Sequence, residues 1–314
     1  MEIFSDRGNL VYDKNTIVTV GTFDGVHQGH RQIISKLNDE KKRNGFRTVI
    51  VTFDPHPQVV LKNRESDIRL LTTTEEKLRH FKELGLDAVY IINFTKEFSQ
   101  TSADDFYKEY LIRDLGLSEL VLGFDHMFGK NREGNFETLK SLSEEYGFKV
   151  IKIEEYKVDE ERLSSSSIRK FISDGNITEA NKLLGYPYSI EGIVIQGNRR
   201  GTEFGFPTAN LQVQSNIKLI PKNGIYAVEI TIDNENYFGM MSIGTNPTVT
   251  DDNFIKVEVN IFEFNRQIYG EQLRIHFVER IRDEFRFNSI DNLIKEIKND
   301  KKRVLEIFNT NKQL

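Results

Sequence analysis

The 314-residue chain contains no cysteine, which excludes disulfides, thiolate metal sites and a cysteine nucleophile together. A basic surplus is also missing. The formal net charge is -5, the isoelectric point is near 5.8, and no long basic run interleaves with aromatics, so nucleic acid is not expected as a main partner. No apolar stretch nears the roughly 18 residues of a membrane span, and Met1 to Arg7 lacks a basic region followed by an apolar run. The expectation is a soluble, cytoplasmic protein with no membrane partner, a monomer or weakly self-associating. What is present suffices for real cores: 38% hydrophobic and 29% charged residues describe a folded chain, and its length suggests about two domains. Four of the six histidines, His27, His30, His56 and His126, fall in glycine- or proline-marked turns of the first half, a distribution that suits a site.

The stretch Gly21-Thr22-Phe23-Asp24-Gly25-Val26-His27-Gln28-Gly29-His30 follows the β-branched run Ile17 to Val20 and leads into residues with helical spacing, Arg31 to Leu37. It reads as a strand-to-helix turn. Glycines at 21, 25 and 29 let backbone approach a ligand, and a helix beginning near Gly29 aims unpaired N–H groups and its positive dipole end at the spot. That geometry suits a phosphate, and His27 and His30 can add imidazole donors. Solvated histidines in a plain turn, or a metal pair at i, i+3, are the alternatives.

Helix to about Arg43 with a stop at Asn44-Gly45, strand Thr48 to Phe53, helix Lys77 to Leu84 behind a capping box in Thr72 to Glu76, and strand Ala88 to Ile92 follow. A helix capped by Thr101-Ser102 and running to Leu115, strand Glu119 to Gly123, helix Phe136 to Tyr146 and strand Lys149 to Ile153 complete an alternation. Five strand-helix units imply a doubly wound parallel sheet of α/β class. Asp54-Pro55-His56-Pro57 ends one strand, and its prolines are expected to exclude both helix and ladder there. Gly123 to Lys130 is not a P-loop, because five residues separate its glycines and Asn131 replaces the Ser/Thr. Leu163-Ser164-Ser165-Ser166-Ser167-Ile168-Arg169 is either a serine linker or, given Phe171, Ile172 and Ile177 beyond it, a helix N-terminus whose hydroxyls and Arg169 clamp an anion.

At Gly185-Tyr186-Pro187 the chain changes character, and the domain boundary is expected there, with residues 1–185 and 186–314 as the two domains. Beyond it come Ile190 to Ile195, Gly224 to Ile232, Tyr237 to Ile243, Ile255 to Phe262 and Gln272 to Val278, strands without helices between them that suggest a small closed β-barrel. A terminal helix capped by Asn288-Ser289 carries an apolar stripe for packing on it. In Gly197 to Asn210, glycine-rich backbone (Gly201, Gly205) and the turn at Pro207 can wrap phosphates, while Thr208 and Asn210 offer Mg²⁺ neutral oxygen ligands. In Lys256 to Phe262 the valines and Ile261 share one strand face, and Glu258 and Asn260 the other. Glu258 is then either a solvated acid or a base that accepts the proton of an alcohol being phosphorylated.

G-T-F-D-G-V-H-x-G-H, the segment Gly123 to Gly134, S-S-x-x-I-R, G-F-P-T-A-N-L and V-E-V-N occur in the order found in bifunctional riboflavin kinase/FAD synthetases, which the chain resembles from Val18 to its terminal helix. The resemblance implies a Rossmann-like FMN adenylyltransferase domain and a β-barrel riboflavin kinase domain. ATP phosphorylates riboflavin to FMN with Mg²⁺, and a second ATP converts FMN to FAD and pyrophosphate. It implies His27, His30 and Arg169 as the charge-neutralising groups of adenylyl transfer, with Thr22, Phe23, Gly25, Gly29, Ser165 and Ser166 at the nucleotide phosphates. Pro55, His56, Pro57 and Asp125 fall on the flavin side, and Glu258 is the kinase base. Two departures stand in the kinase half: Arg199-Arg200-Gly201-Thr202 where relatives often show G-R-G-R, and Asn260 where histidine is frequent. Two rivals are a transferase with another acceptor, against which the barrel argues, and a flavin-binding regulator without chemistry, against which His27, His30, Arg169, Thr208 and Glu258 argue together.

Overall fold

The computed structural model describes residues 1–61, 68–124, 136–158, 161–197, 201, 204–245 and 255–311. Two compact units divide the chain, Met1–Ser165 and Ser166–Leu314.

In the first unit, β1 (Glu2–Phe4), β2 (Thr16–Val20), β3 (Arg47–Asp54), β4 (Ala88–Asn93), β5 (Leu117–Leu122) and β6 (Lys149–Lys152) form a sheet in the order β1-β4-β3-β2-β5-β6, every pair parallel. The period-2 alternation of the strands splits the core in two. Ile17, Ile50, Val89 and Val121 face one way, against Ile34 and Leu37 of α1 (Gln28–Asn44) and Phe81 of α3 (Thr74–Glu83). Val18, Val49, Val51, Tyr90 and Leu120 face the other, against Phe106 of α4 (Ala103–Phe106), Tyr107 and Leu111 of the π-helical stretch Tyr107–Arg113, and Leu139 and Leu142 of α5 (Phe136–Tyr146). The doubly wound sheet is as expected. Thr73 caps α3, with both bonds of its capping box to Glu76 formed, and Gly45 closes α1.

Three details differ from expectation. β1 is a three-residue edge strand whose side chains are exposed or half-buried, so hydrophobic patterning does not mark it. Asp54 keeps its ladder place opposite Asn93, and Pro57 opens the short helix α2 (Pro57–Leu61). Proline is tolerated in a first helical turn, where its missing N–H has no partner to lose. The third is a two-stranded hairpin, β7 (Lys157–Val158) with β8 (Glu161–Arg162).

α6 (Ser165–Asp174) starts at the serine run, so those serines open a helix and are not a tether. α7 (Ile177–Leu184) follows. The second unit is then a closed barrel in the order β10-β13-β12-β11-β14-β9, made of β9 (Ser189–Ile195), β10 (Ala209–Val213), β11 (Gly224–Ile232), β12 (Glu235–Thr245), β13 (Ile255–Ile261) and β14 (Gln272–Arg282). The sixth strand, β10, begins inside the G-F-P-T-A-N block, whose glycine and proline read as turn alone. Val228, Ile230, Met241, Val257, Val259, Ile275 and Phe277 are fully or almost fully buried in alternate strand positions. Ala227, Phe238 and Met240 pack against Val304 and Phe308 of α8 (Ile290–Asn311), the terminal helix with the expected stripe. Among the described residues no helix is long and apolar enough to cross a membrane.

Candidate active sites

The strand order reverses direction between β2 and β5, the place where open α/β sheets bind ligands at their carboxyl ends. There the chain leaves β2 through a strained turn, with Phe23 at φ 49°, Gly25 at φ 84° and the β-branched Val26 at φ 35°. Asp24, 2% exposed, over-determines this conformation. Its carboxylate accepts from Leu71 N (2.9 and 3.2 Å), Thr72 N (3.0 Å) and Thr72 Oγ1 (3.3 Å), and Gly25 N donates to Thr72 Oγ1 at 2.9 Å. The Asp24 carbonyl accepts from Ser165 Oγ at 2.9 Å, which ties the serine run to the turn.

His27 is the N-cap of α1, its Nδ1 accepting from His30 N at 3.4 Å, so Nε2 is the nitrogen left to donate. The His30 ring stacks on it at 3.6 Å between centroids with 15° between planes, and Phe23 meets His30 edge-on at 5.0 Å. Burial pushes the His30 pKa well below the ordinary imidazole value, helped by the neighbouring His27 and Lys77, so His30 is neutral at pH 7. Its Nδ1 is buried without a hydrogen-bond partner among the described residues. Gly29 lies in the first turn of α1, against the His27 ring and Leu163. A neutral His30 ring stacked on the His27 imidazole, a helix N-terminus and an orphaned nitrogen make a site for an oxyanion.

The Thr22 carbonyl accepts from Thr52 Oγ1 at 3.4 Å and Lys77 Nζ at 3.3 Å, which brings the end of β3 alongside. Pro55, His56 and Pro57 therefore sit on the same sheet edge as Thr22 and Phe23. His56 is buried, its Nδ1 accepting from Gln58 N at 3.2 Å. Asp125, His126 and the rest of that loop to Gly134 lie outside the described residues. Ser166, exposed, and Arg169, partly buried, follow Ser165 in α6.

On the barrel, Asn210 of β10, Glu258 of β13 and Ser242 of β12 are direct cross-strand partners and so share one face. The core valines of β13 alternate with them, which turns this face outward. Lys256 Nζ lies 2.8 Å from Glu258 Oε2 on the same face. A methyl group at Gly197 would overlap the Asn210 carboxamide, and one at Gly201 would overlap the Phe206 carbonyl and stand 3.3 Å from Thr208 Oγ1, so both glycines lie close against this stretch. Gly205 turns at φ 79°, and Pro207 and Thr208 are exposed beyond it. Asn260 Nδ2 donates to the Pro207 carbonyl at 2.6 Å and tethers the turn to β13. The departure from histidine thus supplies a short, fixed amide donor. Thr202 and Arg199 lie outside the described residues, as does the turn from Asn246. Thr208 and Asn210 offer hard neutral oxygens, a donor set that fits Mg²⁺ completed by phosphate oxygens.

Comparison with known proteins matches residues 10–167 to the FAD synthetase family model and residues 184–308 to that of riboflavin kinase. The chain is 39% identical to the bifunctional riboflavin kinase/FMN adenylyltransferase of Listeria monocytogenes, covering 94% of this chain and 93% of that one. The Bacillus subtilis protein of the same name is 35% identical, with 93% and 92% covered. The chain belongs to the bifunctional riboflavin kinase/FMN adenylyltransferase family. It therefore carries both activities, phosphorylation of riboflavin to FMN and adenylyl transfer to FMN giving FAD. A crystal structure from Streptococcus pneumoniae, described as a macrolide-efflux protein, has the same fold with a TM-score of 0.88 and 32% identity over 96% of this chain and 97% of that one.

Sequence reasoning missed Asp24 and Lys77. Asp24 stands inside the first motif, where an acid between glycines in a turn must be satisfied by something. Lys77 carries no signal, since a lysine within a helix normally faces water.

Proposed function

We propose that adenylyl transfer takes place at the turn from Thr22 to His30 and riboflavin phosphorylation on the outer barrel wall around Glu258. The first assignment is carried by the orphaned, buried His30 Nδ1 at the amino end of α1. FMN already bears an anionic phosphate, so the protein needs only to align it with the α-phosphorus of ATP and stabilise the charge moving to pyrophosphate. His27 and His30 do this with Arg169, the backbone at Phe23, Gly25 and Gly29, and the hydroxyls of Thr22, Ser165 and Ser166. Pro55, His56, Pro57 and Asp125 contact the flavin.

In the kinase half Glu258 accepts the proton of the riboflavin hydroxyl as its oxygen bonds to the γ-phosphorus of ATP and the bridging bond to the β-phosphate breaks, ADP leaving with the electron pair. Gly201, Gly205 and Pro207 shape the loop that holds the phosphates. Thr208 Oγ1 and Asn210 Oδ1 would hold Mg²⁺, which neutralises phosphate charge when bound. The functional boundary falls at residues 185 and 186, where Gly185 caps α7 ahead of the barrel and close to where the riboflavin kinase match begins. The reading also has the protein working in the cytoplasm, as a monomer or weak self-associate.

The test supplies purified protein with Mg²⁺ and ATP, and either riboflavin or FMN, and separates the flavins chromatographically. Glu258→Gln should abolish FMN formation from riboflavin and leave FAD formation from FMN intact. His27→Ala should do the reverse. Loss of both activities in either variant would break the assignment of one reaction to each site.

A further inference from the structure

Lys77, one turn into α3, is 4% exposed. Its ammonium donates to the Thr22 carbonyl at 3.3 Å, and among the described residues that is its single hydrogen-bond acceptor. An ammonium has three N–H donors, so two are open. Burial lowers its pKa, while the charges of Asp24, Asp54 and Glu75 act the other way. None of these carboxylates takes a hydrogen bond from it, and Asp24 is already engaged by Leu71 and Thr72. A buried cation with unused donors is costly unless something anionic arrives to accept from it. It sits at the ends of β2 and β3, and its charge is felt at His30.

We propose that Lys77 is a phosphate-binding residue of the adenylyl-transfer site, its open donors taking a phosphoryl oxygen of the bound substrates. The inference rests on placing adenylyl transfer at the Thr22 to His30 turn. In that reaction a phosphate oxygen of FMN forms a bond to the α-phosphorus of ATP. The bond from that phosphorus to the bridging oxygen breaks, and pyrophosphate leaves with the electron pair. An ammonium held away from water stabilises the phosphate charges brought together in this step. The phosphoryl oxygen can belong to FMN or to ATP, which the kinetics separate.

The probes are Lys77→Met, close in shape and uncharged, and Lys77→Arg, which restores the cation. Lys77→Met should melt at or above the wild-type temperature without ligand, because it removes a poorly paired buried charge. It should also lose most of the melting shift given by inorganic pyrophosphate and raise the KM of one substrate by about 10- to 100-fold, the loss expected for a hydrogen bond to a charged group. A rise for FMN places the ammonium on the flavin phosphate, and a rise for ATP on the triphosphate. Lys77→Arg should recover part of this, and riboflavin phosphorylation should be unchanged in both. A wild-type KM for both substrates with a full pyrophosphate shift would overturn the inference, as would a lowered ligand-free melting temperature without a KM change, which marks a prop for the turn. His27→Ala run in parallel separates the two layers. If it leaves FAD formation intact, the site assignment itself fails; if it abolishes it while Lys77→Met behaves as wild type, only the role of Lys77 fails.

Discussion

Asp24→Ala should loosen the phosphate turn and lower the stability of the first unit together. The carboxylate is buried and accepts from the N–H groups of Leu71 and Thr72 as well as from the Thr72 hydroxyl. Removing it leaves two buried backbone donors unpaired at about 1 to 3 kcal/mol each, so the expected cost is about 4 kcal/mol. For a unit of this size, about 2 to 4 °C per kcal/mol gives a melting point lower by roughly 8 to 16 °C. Asp24→Asn keeps the shape and the three contacts to Oδ1 but sets an amide donor where Oδ2 faces Leu71 N, so it should cost about half as much. Scanning calorimetry gives the stability, and FAD formation from supplied FMN gives the activity, with riboflavin phosphorylation as the control on the second unit. An Asp24→Ala protein that melts within about 2 °C of wild type, well under the shift expected from unpaired donors, would refute the reasoning.

Gly197→Ala should abolish phosphorylation of riboflavin and spare adenylyl transfer, since its methyl group would displace the Asn210 carboxamide; unchanged kinase kinetics would contradict this. Asn260→Ala, by releasing the Pro207 carbonyl, should raise the kinase KM for ATP about fivefold, the worth of one hydrogen bond, and Asn260→His should restore it. Acid should weaken the first unit through its buried histidines. Burial holds His30 well below the ordinary value and His80 down to about 4. The unfolded chain thus takes up these protons first, near pH 6.5, and stability present above that pH falls as pH drops. The limiting slope is about 1.4 kcal/mol per pH unit for each histidine. Unfolding free energies measured from pH 7 to pH 5 should show it, His80→Gln should make it shallower, and a flat profile would exclude the effect.

Both folds were legible because β2, β3 and β4 carry near-continuous apolar runs, while β9, β11 and β14 alternate. The candidate site residues stood out in the sequence where chemistry and turn coincide, as at His27 and His30, or at Thr208 and Asn210. What escaped has a common physical origin. β1 takes its place from pairing with β4, with no buried face of its own to mark it. β10 was hidden by the proline turn that leads into it. The satisfaction of Asp24 depends on residues 47 and 48 positions away, and the burial of Lys77 on a carbonyl 55 positions away, neither of which local spacing can register.

The outward face of β13 has a consequence for how this enzyme can vary. Along that strand, parity assigns labour: Val257, Val259 and Ile261 belong to the core, and Glu258 and Asn260 to the face proposed for riboflavin phosphorylation. A slip of one residue against either neighbour would bury the acid and expose the valines, so cooperative folding of the whole barrel guards the direction of one carboxylate. Closure helps, because a sheet with no free edge has nowhere to slide. The interior can therefore drift in sequence, trading one apolar side chain for another of similar volume, without disturbing the face proposed for the kinase reaction. The core and the candidate site of the barrel are read from alternate letters of the same strand.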